Sequence, residues 1–248
     1  TGVPQGGPLS VVCSNVYLDK LDKELEQRGL RFTRYADDVL IFTKSEIAAN
    51  RVMKSICSWL ERKLFLKVNT TKTKVVRPTR SKYLGFTFLK NGSEWKVRPT
   101  NEKKKKVKKK LSEYLKRGKA IARPLAVTIK RVNEIVRGWI NYFRIGMMKL
   151  FLEEFGEWLR HKIRVIAIKQ WKRPKTIYRN LSYLNWKHKN GFSNKEIFKV
   201  ANSRLGWYKR SGMNVVNFII SKDLLENRIK DGAGLLNPLS YYLVKVGI

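Results

Sequence analysis

The sequence predicts an α+β fold, with an antiparallel sheet confined to residues 1–99 and helices making up the rest. Three observations carry this expectation. Two apolar β-type runs, Phe32 to Tyr35 and Val39 to Thr43, flank the turn-forming Ala36-Asp37-Asp38. A second hairpin is signalled by Asn91-Gly92-Ser93 ahead of EWKVR. After Pro99 the apolar residues recur at steps of three and four. At 248 residues and 43% hydrophobic, the chain is long enough to bury one large or two modest cores.

The elements follow in order. Behind QGGPLS, the positions Leu9, Cys13, Val16, Tyr17, Leu21 and Leu25 give one apolar helix face, and Gly29 stands where a helix end favours a left-handed residue. After the first hairpin a second helix is expected from Ile47 to Leu64, and the runs LFLKVN, TKVV and KYLGFTFL read as further strands. Thr100 is a plausible N-cap for a helix with Val107, Leu111, Tyr114 and Leu115 on one face and lysine elsewhere. Pro124 suits the first turn of a helix whose stripe runs Leu125, Ile129, Val132, Val136, Trp139 and Phe143 and closes at Gly146. Trp139, Tyr142 and Phe143 are expected in that core. The opposite face carries Lys130, Arg137 and Arg144, with Asn133 and Asn141 between them, as a ladder of phosphate-compatible donors. A third helix spans Met148 to Gln170. The basic residues Lys169, Lys172, Arg173 and Lys175 around Pro174 read as a linker or turn, followed by short helices broken at Gly191, Gly206, Gly212 and Gly232.

Charge is the largest compositional signal: 54 Lys and Arg against 19 Asp and Glu give a formal +35. Self-repulsion of that size calls for a polyanionic partner. Aromatic residues, 11% of the chain and interleaved with Lys and Arg, favour nucleic acid over an anionic membrane, because bases offer π-faces and headgroups do not. Residues 91–180 hold 26 basic and 7 acidic side chains, against 17 and 8 in residues 1–90, so the middle third is the expected contact. No apolar run approaches the ~20 residues of a spanning helix, so no membrane partner is expected. Cys13 and Cys57 fit neither a disulfide framework nor a metal pair and are expected as buried thiols in a reducing compartment. His161 and His188 have no companion ligands and receive no role. Thr1 is not Met and TGVPQGGPLS reads as domain interior, so a fragment is expected.

Against this basic background stand two adjacent acids, Asp37 and Asp38. The residues alone allow two readings. Asp-Asp is ordinary turn chemistry in water. It is also a donor pair for Mg²⁺, a hard cation that takes one or two carboxylates and completes its shell with waters and substrate phosphates.

Context separates these readings. Tyr35-Ala36-Asp37-Asp38 resembles the catalytic hairpin of reverse transcriptases, and Gly2 with Pro4-Gln5-Gly6-Gly7-Pro8-Leu9-Ser10 resembles the glycine-rich block upstream of it. Leu66-Lys67-Val68-Asn69 with Lys72-Thr73-Lys74, then Tyr83-Leu84-Gly85-Phe86, are similar to the following block and the primer-contacting hairpin. Within that family, RVNEIVRGWINYFRI resembles the maturase segment of group II intron proteins, and YRNLSYL with ANSRLGWYKRSG is similar to their DNA-binding region. Val11 stands where many relatives have proline.

The resemblance implies part of a polymerase palm over residues 1–99, lacking the fingers. A thumb or maturase (X) helical bundle follows over 100–171, and a small DNA-binding-like helical region over 172–248. It makes Asp37 and Asp38 the catalytic residues and Mg²⁺ ligands, and places Gln5, Gly6, Gly7, Tyr35, Ala36 and Lys72 at the nucleotide and template. Ala36 would sit beside the incoming nucleotide and Tyr35 beneath the hairpin. Tyr83, Leu84 and Gly85 are implied at the primer, with Gly85 marking a bulge or a close backbone approach. Lys72 in its Lys-rich loop reads equally as a solvated charge. Lys103, Lys104, Lys105, Lys106, Lys108, Lys109 and Lys110 repel one another on one short helix unless phosphates gather there. With Lys130, Arg137, Asn141 and Arg144 they are the expected RNA contacts. The family's remaining metal-binding aspartate comes from a strand ahead of the QGG block, so that ligand is expected from outside this sequence.

The implied function is RNA-directed DNA synthesis and intron RNA splicing. Its partners are group II intron RNA, a template-primer duplex, a DNA target and dNTPs, in the cytoplasm of a prokaryote or in an organelle. A splicing cofactor with an idle polymerase site, or a non-intron reverse transcriptase of a defence or diversity-generating system, are the alternatives.

Overall fold

The computed structural model describes residues 8–227 and 234–247. Among them the chain forms twelve α-helices and two small antiparallel sheets. It divides into two compact units, Thr1–Lys90 and Asn91–Ile248.

The first unit holds α1 (Pro8–Gln27), β1 (Arg31–Tyr35), β2 (Asp38–Phe42) and α2 (Glu46–Lys63). Gly29 ends α1 as the sequence suggests, at φ +63, which lets the Gly29 and Leu30 amides donate to Glu26 and Leu25 carbonyls. Ser45 caps α2 by accepting from the Ala48 amide. The core joins Leu18, Leu21 and Leu25 of α1 to Ile56 and Leu64, with Phe32, Val39 and Ile41 of the hairpin packed against them. Only the C-terminal half of α1 is covered. Leu9, Val16 and Tyr17, expected on the core face, are exposed. Cys13 is exposed too, and Cys57 is half-buried, so neither thiol lies in the core as expected.

The expected strands LFLKVN and TKVV do not form. Phe65 sits at φ +52, outside the extended backbone region a strand requires, and Asn69 then turns the chain. KYLGFTFL is interrupted by a turn, so β3 (Phe86–Asn91) begins only after it. With β4 (Glu94–Pro99) it forms the second hairpin, inside which the chain passes from one unit to the next.

The second unit continues with α3 (Asn101–Tyr114), α4 (Arg117–Ala120), α5 (Leu125–Phe143), α6 (Lys149–Trp171) and α7 (Pro174–Lys187). Then come α8 (Asn194–Ala201), α9 (Trp207–Ser211), α10 (Asn214–Ile219), α11 (Lys222–Asn227) and α12 (Pro238–Val246). Thr100 caps α3 by accepting from the Lys103 amide. Of the linker or turn expected around Pro174, the structure has the turn, and Pro174 itself opens α7. The connection from α6 is only Lys172 and Arg173, and α7 runs 14 residues because Ile177 and Leu181 give it a buried stripe. Gly232 lies outside the described residues.

α6 is the centre of this unit. Leu152, Phe155, Leu159, Ile163 and Ile166 are buried along it, and α7, α9 and α12 pack on it. Arg164, also buried, donates from Nε to the Ile220 carbonyl at 2.8 Å and from Nη2 to that of Asn217 at 3.4 Å, fastening the end of α10. Burial, and then the neighbouring charge of Arg160, push its pKa down to about 10. Phe155 stacks between Phe151 and Trp158 at 5.4 and 5.7 Å. Phe155→Ala should therefore cost about 3–5 kcal/mol of stability, read as a lowered denaturation midpoint.

The last helix returns to the bundle. The Asn133 amide donates to the Gly234 carbonyl at 2.8 Å and its oxygen accepts from the Leu236 amide at 2.9 Å. Tyr242 donates its hydroxyl to the Gly146 carbonyl at 3.0 Å. No described helix is long and apolar enough to cross a membrane.

Candidate functional site

The β1–β2 hairpin pairs Tyr35 with Asp38, leaving Ala36 and Asp37 as a two-residue loop. The sequence suggested a three-residue connection, but Asp38 already belongs to β2. Ala36 has φ +54 and Asp37 does not share a positive φ, the pattern of a type II′ turn, whose first central position normally carries glycine. Ala36 is therefore set by backbone geometry, and a β-branched residue there should be strained. Ala36→Val is expected to cost about 1–3 kcal/mol in a denaturant titration, while Ala36→Gly should cost nothing.

Both aspartates are exposed, and their side chains make no hydrogen bond or ion pair among the described residues. Tyr35 does not pack beneath the hairpin. It lies on the outer face of β1 with Arg31 and Thr33, 66% exposed, while Phe32 and Arg34 alternate inward. Arg34 holds the turn against α1. Its Nε and Nη2 reach the two carboxylate oxygens of Asp22 at 2.8 and 2.5 Å, and its Nη1 donates to Asn15 Oδ1 and to the Ala36 carbonyl, each at 3.0 Å. The Asp22 hydrogen bond holds the guanidinium firmly charged. Neither Asp22 nor Arg34 was singled out from the sequence, because nothing in their spacing announces a bidentate pair.

A groove of about 940 Å³ lies within the first unit and is lined by Asp37, Asp38, Asn69, Lys72 and Tyr83. Asn69 shapes the Lys72 loop: its Oδ1 accepts from the Thr71 and Lys72 amides at 3.1 and 3.2 Å, an Asx-type turn legible in NTTK. Tyr83 Oη donates to the Asp38 backbone carbonyl at 3.4 Å. Tyr83 and Phe86 exchange backbone hydrogen bonds of 3.0 and 2.8 Å around Leu84 and Gly85, both at positive φ. That is a type I′ turn, so of the two readings of Gly85 the bulge is not the one formed. Tyr35, Ala36, Leu84 and Gly85 do not line the groove, and Gln5, Gly6 and Gly7 lie outside the described residues.

In the second unit the lysines of α3 divide into two sets. Lys103, Lys105, Lys106, Lys109 and Lys110 are exposed. Lys104 and Lys108 lean over α6, their Nζ atoms 5.2 and 5.4 Å from the ring centres of Phe151 and Trp158. Burial, then the charge of Arg98, push the Lys104 ammonium down, against a smaller pull from Glu154. Lys130 and Arg137 on α5, and Arg144 at its C-cap, are exposed as expected. Asn133 is not part of their ladder, being buried and bound to the returning chain. Asn141 accepts from Tyr241 Oη at 3.0 Å. Trp139 is half-buried against Phe143 and Phe151 at 4.8 and 5.4 Å, whereas Tyr142, expected in the core, is exposed because it leaves the apolar stripe.

A paired-acid turn that shares a groove with a lysine, and a helical unit studded with cations, are the equipment of a nucleic-acid-handling protein. Residues 1–88 match the reverse transcriptase (RNA-dependent DNA polymerase) family, and residues 104–184 match the group II intron maturase-specific domain. Comparison with curated proteins gave no match. The chain belongs to the group II intron-encoded reverse transcriptases/maturases.

That family uses divalent metals. The donor set fits in kind: Asp37 and Asp38 offer hard carboxylate oxygens that no described side chain occupies. Among the described residues no group of three or more His, Cys, Asp or Glu gathers to hold an ion, so the pair stands without a third such ligand.

Proposed function

We propose that this protein binds group II intron RNA, helps it splice and copies it into DNA. The observation that carries the reading is the convergence of Asp37, Asp38, Lys72 and Tyr83 on one groove, in a chain whose segments match both families. Asp37 and Asp38 would hold Mg²⁺, which when bound supplies charge neutralisation to an attacking 3′-hydroxyl and a departing pyrophosphate. The rest is done by the chain. Lys72, on its Asn69-braced loop, offers a cation or a proton to the leaving phosphates. The Tyr83 hydroxyl, by bonding the Asp38 carbonyl, fixes the turn against the next segment.

The exposed lysines of α3, with Lys130, Arg137 and Arg144, would grip RNA through phosphates. Such contacts give affinity without reading sequence, so recognition of one RNA rests on its shape. Lys104 and Lys108 brace α3 against α6 and stand outside that set. The maturase-specific match favours the intron reading over a non-intron reverse transcriptase. The test is Asp37→Asn in the full protein, assayed for DNA synthesis and for RNA affinity: synthesis should be lost and affinity kept. Retention of both overturns the catalytic assignment. Loss of both moves Asp37 from catalysis to RNA binding.

A further inference from the structure

The outer face of α7 is built unlike the lysine surface of α3. Lys175, Arg179, Tyr183, Trp186 and Lys187 are all exposed, and steps of three and four place them on one arc of the helix. Trp186 is 75% exposed and Tyr183 52%, their ring centres 6.2 Å apart. Phe198 of the neighbouring α8, 59% exposed, meets Tyr178 of α7 edge-on at 6.2 Å. Large aromatic rings left in water need an explanation that lysines do not.

Charge narrows the occupant. Between Pro174 and Ala201 there are six basic side chains and a single acid, Glu196. Glu196 is already engaged in the capping box of α8, accepting from the Ser193 amide at 2.8 Å and the Ser193 hydroxyl at 2.7 Å. Nothing acidic on this face would attract a basic or neutral protein. A polyanion that also offers flat apolar faces is the chemistry that matches. A duplex hides its base faces inside the stack, whereas a single strand exposes them.

We infer that the Tyr183–Trp186 face of α7 is a stacking platform for unpaired nucleotides of a single-stranded nucleic acid. The inference rests on the nucleic-acid reading above and adds a site to it. Tyr183 and Trp186 each present a face to a base, and Arg179 and Lys187 neutralise the phosphates alongside. Lys187 lies close to its ring partner, with Nζ 5.6 Å from the Tyr183 ring centre, so cation and π-surface are presented together. Stacking is indifferent to sequence, so the platform should hold a strand of any composition.

The experiment compares the full protein with Trp186→Ala, Tyr183→Ala and the double variant. Each is titrated with a fluorescent oligothymidylate, an oligouridylate of equal length and a blunt duplex, with Trp186→Phe as the conservative control. Each ring removed should weaken single-strand binding roughly 5- to 150-fold, with duplex binding changed less than about twofold. Trp186→Phe should retain most of the affinity. The two oligonucleotides separate RNA from DNA as the strand held. Equal losses for single strand and duplex would reduce the face to a general cation patch and overturn the inference. Unchanged single-strand binding would also overturn it and leave the rings to a protein partner. Binding of intron RNA by the α3 lysines, measured on the same variants, separates this failure from failure of the broader reading.

Discussion

Asp37→Asn should lower DNA synthesis on an RNA template by on the order of 10³-fold or more, equivalent to about 4 kcal/mol of transition-state stabilisation. The amide keeps the volume and one acceptor oxygen of the carboxylate and removes the charge. Because Asp37 is exposed and its side chain bonds nothing described, folding stability should change by less than about 0.5 kcal/mol. Removing one of two adjacent like charges favours the fold if it does anything. Activity assays paired with thermal melting separate the two effects. An unaltered synthesis rate, with the fold intact, would leave the acid pair as a solvated turn.

The second large effect is on salt. The five exposed lysines of α3 should contribute about −0.9 each to the slope of log K against log salt if each meets a phosphate. Between 50 and 200 mM salt these contacts alone would weaken RNA binding about 500-fold. Replacing all five with alanine, a strong helix former that keeps α3 intact, should flatten the slope by about 4 to 5. Lys104→Ala with Lys108→Ala should behave differently. It removes two cation–π contacts on α6, costs about 1–2 kcal/mol of stability, and moves the salt slope much less. A titration at several salt concentrations for each variant distinguishes them. Parallel slopes for wild type and the five-alanine variant would remove α3 from the RNA interface.

The contrast between those two sets of lysines shows what a sequence does and does not disclose. Periodicity exposes α5, because Ile129, Val132, Val136 and Phe143 obey one helical rule and are buried accordingly. Local chemistry exposes the Thr100 cap, the Gly29 terminus and the first hairpin, each decided by neighbours within a few residues. What periodicity cannot show is the partner across the gap. Lys104 and Lys106 look alike in KKKKVKKK until α6 brings Phe151 under one of them. Asn133 reads as a surface donor until residues 234–236 return to claim it. The false strands LFLKVN and TKVV have apolar content but no ladder, and a left-handed Phe65 interrupts the backbone of the first. At the site, the acid pair and Lys72 are visible as letters, whereas their shared groove exists only after folding. The strain at Ala36 is likewise invisible, because alanine is the residue least suspected of an unusual backbone angle.

In a chain where cations outnumber acids nearly three to one, a carboxylate stays available only if the nearest cation is otherwise engaged. Arg34, three residues from Asp37 in the sequence, is a cation so engaged: Asp22 takes its Nε and Nη2, while Nη1 goes to Asn15 and the Ala36 carbonyl. Asp22 thereby acts as a decoy acid. By satisfying the local guanidinium, it keeps that cation off the turn's carboxylates, so the charge the hairpin tip presents to solution depends in part on a residue of α1.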